Sequence, residues 1–100
     1  MDRVMRWFAM PISEQISNIG SEVNRAIKYK NKNESEKATR FCLKAIELIR
    51  LSEEDPKNIN RINELNFAAE ELEDYFIGDN LYGTTPNVLI RYYDAFLQNA

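Results

Sequence analysis

The carboxylates between positions 64 and 74 are the first residues in this chain whose types and spacing suggest chemistry. Glu70 lies one helical turn from both Glu73 and Asp74. Two carboxylates on one helical face would serve a divalent metal or share a proton in acid–base work. Either use needs a second set of ligands or a histidine beside them, and the sequence supplies neither: it contains no histidine at all. That absence removes Ser-His-Asp and Cys-His catalysis, histidine acid–base chemistry, His-ligated zinc or iron, and the Glu-x-x-His motif of di-iron bundles. The acidic run therefore reads as a solvated helix face.

Three other constellations invite the same question. Cys42 is the only cysteine, so no internal disulfide forms. It recurs at helical spacing with Ala38, Phe41, Ala45, Leu48 and Ile49, which predicts a buried, reduced thiol. In the stretch GDNLYGTTP, Thr84, Thr85 and the free N–H groups of a following helix would hold an anion, with Tyr82 beside it. The plainer reading is preferred: a helix stopped at Gly78, a turn at Asp79-Asn80, a Leu81–Tyr82 plug in the core, and a restart at Thr85-Pro86. Lys37, Arg40 and Lys44 cluster on one helix flank, within a segment (25–50) of eight basic and three acidic residues. They would contact phosphate, such as that of RNA. The segment 62–100 has one basic residue against seven acidic ones. A solvated face that pairs with the acidic half of the same or another chain therefore explains the lysines more simply. No RNA-binding motif or interleaved aromatic platform is visible beside them.

The elements that position these residues are helical. The stretch from 34 to 51 is the most helix-favouring of the chain. It is apolar on more than one side, since Leu43 and Ile46 fall outside its main stripe, and this predicts neighbours on more than one side. Before it, Ile12, Ile16, Ile19, Val23, Ala26 and Ile27 mark a lengthwise seam. Ser13 reads as its N-cap, Ile12 as a staple residue, and Gly20 as a point of close helix approach. Asn31 to Asn33 forms a short turn, with Asn33 capping the next helix and Glu36 completing a capping box. Asp55-Pro56 and Thr85-Pro86 each read as a cap followed by proline at the first helical position. Ile62, Leu65, Ala69, Leu72 and Phe76 form an inner stripe, with Phe67 opposite it. Trp7 and Phe8 belong to a short N-terminal helical turn that docks on the body or on a partner.

The prediction is an all-α single domain spanning 1–100. It is a four-helix bundle or two stacked antiparallel helical hairpins, over about 13–30, 34–52, 56–77 and 86–98. An apolar fraction of 44%, a charged fraction of 29% and a net charge of -3 are ordinary for a globular chain and do not by themselves imply a nucleic-acid or membrane partner. No apolar run approaches the roughly 20 residues of a membrane span, and no secretory signal is evident, so the cytoplasm is the expected location.

Three resemblances accompany this reading. NIGSEVNRAIKYKNKN, with GDNLYG further on, resembles a group of short uncharacterised helical proteins of bacteria and archaea, which implies a shared fold. Ala26, Tyr29, Ala38 and Ala45 are spaced as in a tetratricopeptide hairpin, although Glu22, Asn33 and Cys42 depart from that pattern and one copy is not a solenoid. The layout is also similar to HEPN-type helical domains. Their nuclease members use an Arg and a His, so the resemblance implies a non-catalytic, dimerising relative.

The expected function follows: a non-enzymatic helical-bundle interaction protein without cofactor or metal. It acts as a homodimer or on a protein partner through Leu43, Ile46 and Phe67. RNA binding through Lys37, Arg40 and Lys44 is the alternative.

Overall fold

The computed structural model describes residues 2–97. Among them are five α-helices and no strand: α1 (Arg3–Phe8), α2 (Ile12–Asn31), α3 (Ser35–Glu53), α4 (Ile62–Phe76) and α5 (Pro86–Leu97). The all-α expectation holds. Gln98, expected to end the last helix, lies outside the described residues.

The helix ends show where local reading and structure part. The α2 helix starts at Ile12 with Pro11 at its N-cap, not Ser13. Pro11 is extended, and its carbonyl accepts from the Glu14 and Gln15 N–H groups at 3.0 Å each, so Ser13 is already inside the helix. Asn33 does not cap α3. It lies at φ 60, and the Asn33 and Glu34 N–H groups donate to the Lys30 and Tyr29 carbonyls at 3.0 and 2.9 Å. That is a Schellman motif closing α2, with asparagine in the left-handed position glycine usually takes. Glu34 stands at the N-cap of α3 without a side-chain capping bond.

Asp55 does cap, accepting from Lys57 N at 3.2 Å, but the six residues from Pro56 to Arg61 form a 3-10 segment with a kink at Asn58. The α-helix begins only at Ile62, which sits at the surface rather than in the inner stripe. Thr85 caps α5 as its proline predicts, with Oγ1 accepting from Val88 N at 3.3 Å.

Packing is organised by α2 and α3. The α3 helix lies between α2 and α4, while α5 lies against the other side of α2. Ile16, Ile19 and Val23 of α2 meet Cys42, Ala45 and Ile49 of α3, Leu65, Ala69 and Leu72 of α4, and Leu89 and Tyr93 of α5 in one buried cluster. Gly20 permits the α2–α5 approach: a Cβ there would stand 2.8 Å from the Tyr93 Cβ. The α4 and α5 backbones make no comparably close approach. Among the described residues the ring of helices is therefore widest along the α4–α5 side, where side chains alone span it.

Candidate functional site

The connection that follows α4 is held by the helix's own acids. Asp74 accepts from the Leu81 and Tyr82 N–H groups at 2.8 and 3.0 Å. Glu71 accepts from Thr84 Oγ1 at 2.9 Å. Asn80, at φ 53, clasps the Thr84 backbone with both ends of its amide. Gly78 eases a close approach rather than a left-handed backbone, since a Cβ there would lie 3.3 Å from the Asp74 Cα and carbonyl oxygen. This clamp bears against the anion reading already set aside and overturns one expectation, the Leu81–Tyr82 plug. Thr84 is buried against a carboxylate, an environment unsuited to an anion. Leu81 and Tyr82 form no plug: they are 86% and 53% exposed, because Asp74 holds their backbone at the surface.

Beside the clamp runs the open α4–α5 seam. A groove of about 230 Å³ is lined by Glu64, Phe67, Ala68, Glu71, Val88 and Tyr92. The Tyr92 hydroxyl bridges it, donating to Glu64 Oε2 at 2.6 Å. Burial, and then that carboxylate, raise the Tyr92 pKa. The Phe67 ring tilts against Tyr82 at 5.4 Å between centroids. Tyr82 in turn lines a second, larger depression with Ile77 and Leu81, bordered by Glu70, Glu73 and Asp74. Phe67, Ile77, Leu81, Tyr82 and Val88 are all exposed. They form one continuous apolar strip with an acidic margin. Of the three residues expected to meet a partner, Phe67 alone belongs to it. Leu43 is exposed on α3, a helix that contributes no lining residue to either depression. Ile46, expected outside the core, is half-buried and packs against it. As partner contacts, Val88 and Tyr82 had no signal in the sequence beyond being apolar.

The basic strip lies on the opposite, α2–α3 side. Lys37 pairs with Glu34 at 3.5 Å, and Arg40 and Lys44 are exposed. Contrary to expectation, aromatics do accompany them. Tyr29 and Phe41 lie parallel and offset at 5.5 Å between centroids, with Lys37 and Lys32 5.3 and 5.9 Å from the Tyr29 ring and Lys44 5.8 Å from Phe41. These distances fall within cation–π range. Lys30 is not part of the strip. It donates to the Tyr75 carbonyl at 3.1 Å and covers the Tyr75 ring, tying the hairpin to α4.

A third polar constellation has no sequence signal except Asp55-Pro56. Trp7 Nε1 donates to Ser52 Oγ at 2.8 Å. Gln15, fully buried, donates to the Trp7 carbonyl and to Asp55 Oδ2 and accepts from Asn58 Nδ2. Lys57 Nζ donates to the Phe8 carbonyl and to Asp55. Burial opposes ionisation of Asp55, but the bonds from Lys57 and Gln15 outweigh it and lower its pKa. These bonds form a latch holding α1 to the body.

Cys42 is buried with Sγ 3.6 Å from the Leu72 carbonyl, and burial, then Glu73, push its pKa up to about 12. Among the described residues no group of three or more His, Cys, Asp or Glu side chains is arranged to hold a metal, and no helix is long and apolar enough to cross a membrane. Comparison with known protein families, with characterised proteins and with solved structures finds no match to this chain.

Proposed function

We propose that this protein is a non-catalytic protein-interaction module that docks its partner in the α4–α5 seam. The continuity of the Phe67–Tyr82–Ile77 strip, closed by no other described element of the chain, carries this reading. The groove of about 230 Å³ suits one inserted apolar side chain, and the adjoining depression of about 480 Å³ lies open to solvent along the same strip. Several of the groups capable of chemistry beside the seam are engaged in holding the structure. Glu71 and Asp74 hold the connection, Glu64 holds Tyr92, and the raised pKa values of Cys42 and Tyr92 keep both protonated near neutrality. A reduced thiol of this kind fits a cytoplasmic setting.

The test is a paired affinity isolation, with the intact protein and its Phe67→Glu variant as baits and quantitative mass spectrometry as readout. At least one protein should be enriched on the first and lost from the second, while both baits keep the same helicity. Identical profiles overturn the reading.

RNA binding on the α2–α3 side is the second reading, favoured by the stacked Tyr29–Phe41 pair among lysines, an arrangement on which bases stack. It predicts a salt-dependent mobility shift with single-stranded RNA that Lys37→Glu/Arg40→Glu/Lys44→Glu abolishes. No shift at low salt removes it.

A further inference from the structure

We infer that the partner filling the seam is a second copy of this chain, docked head to tail, so that the basic α2–α3 face of one copy covers the acidic α4–α5 seam of the next. The inference rests on the interaction-module reading and names its partner. Two features carry it.

The first is charge. The seam's apolar strip is margined by Glu64, Glu70, Glu71 and Glu73, of which Glu64 pairs with Arg61 at 3.3 Å. Lys32, Lys37 and Lys44 stand around the Tyr29–Phe41 pair, Lys37 also pairing with Glu34 at 3.5 Å, and Arg40 is exposed on the same helix. Two seams facing each other in a symmetric dimer would bring carboxylates against carboxylates across an apolar contact, which is costly. A basic face with an aromatic floor removes that repulsion and offers side chains to the strip.

The second is placement. Helices α2 and α3 pack together, with α5 beyond α2 and α4 beyond α3, so the outer α2–α3 face and the α4–α5 seam point in opposite directions. One molecule cannot satisfy its own seam, and each docked copy presents a fresh seam on its far side. Such a heterologous contact propagates into rings or open chains rather than closing at two.

The experiment is sedimentation of the full chain at low and high salt, with a complementation arm. At about 0.01 M salt, where charges act over roughly 30 Å, mass should grow with concentration past the dimer, and at about 1 M it should fall to the monomer. The basic-face variant Lys37→Glu/Arg40→Glu/Lys44→Glu and the seam variant Phe67→Lys/Glu70→Lys should each sediment as monomers. Mixed in equal amounts they should form a complex of two chains and nothing larger, because one intact seam meets one intact basic face. Circular dichroism confirms that both remain helical, and Lys44→Glu alone replaces the triple variant should that one unfold. A chain that stays monomeric at low salt, a mixture that stays monomeric, or association only in the presence of RNA would each overturn the inference. The paired bait experiment separates the two readings, since a partner other than this chain, lost with Phe67→Glu, leaves the module standing while self-association fails.

Discussion

Two connections end in a capping residue followed by proline at the first helical position, Asp55-Pro56 and Thr85-Pro86, and the two places differ in outcome. At the first, Asp55, Asn58 and Lys57 are drawn together with Trp7, Gln15 and Ser52, and the polar groups find one another inside the protein. At the second, Asp74 and Glu71 secure the connection from beneath, and its apolar side chains are left facing solvent. Both are well hydrogen-bonded, so bonding alone does not separate a closed region from an open one. The difference is what lies opposite. The polar side of the first connection has α1 against it, although its Ile59 stays exposed, whereas the second faces the gap between α4 and α5, which no other described element covers. Polar networks fix geometry in both, but only a covering element turns fixed geometry into burial.

Substitutions sharpen this contrast, beginning with the covering element. Trp7→Ala removes a buried indole and the bond to Ser52. The loss should be about 3 kcal/mol or more, which lowers the thermal midpoint by roughly 12 °C or more in a domain of this size. A midpoint within a few degrees of wild type would mean that α1 is not part of the cooperative unit.

Gln15→Leu leaves Asp55 and Asn58 short of partners in a buried site and should cost about 2 kcal/mol, measured by urea denaturation. The same region should govern acid stability. The folded-state pKa of Asp55 lies below its ordinary value. Its contribution is therefore complete above about pH 4 and is lost as pH falls through the lowered value. Asp55→Asn should flatten that acid limb, and an unchanged limb would assign it to other carboxylates.

At the open end the effects shrink. Asp74→Ala frees the Leu81 and Tyr82 N–H groups to water and should cost about 1 kcal/mol, with faster proteolytic nicking within 78–85 as the sensitive readout. Phe67→Ala should change stability by no more than about 0.5 kcal/mol, because the ring is half exposed already. A large loss there would show that the seam is core, and would break the comparison outright.

Much of the architecture was legible in the residues. The α2 and α3 stripes, Gly20 as a contact point, the buried Cys42 and the Thr85 cap all follow from spacing and side-chain type, because each depends on a neighbour within a turn or on one helix face. What escaped depends on longer reach or on an ambiguous residue. Asparagine serves as an N-cap or as a left-handed C-terminal residue with equal ease, so Asn33 is decided only by the two carbonyls its turn satisfies. Gln15 and Asn58 read as ordinary polar positions until the fold brings them together. Phe67 stood out as misplaced on α4, but the groove around it is completed by Val88 and the strip by Tyr82, whose placement follows a connection that Asp74 sets. Leu81 shows the converse. An apolar residue in a loop suggests burial, yet backbone tethering overrides side-chain preference.

The thiol of Cys42 lies where α3 meets α4, sealed from solvent in the resting molecule. A thiol reagent in the bulk thus reaches it only when those two helices part. The rate of modification is then a clock for that parting, built into the natural chain and needing no engineered probe. Ligands that grip the bundle would slow the clock, and changes that loosen it would speed the clock up.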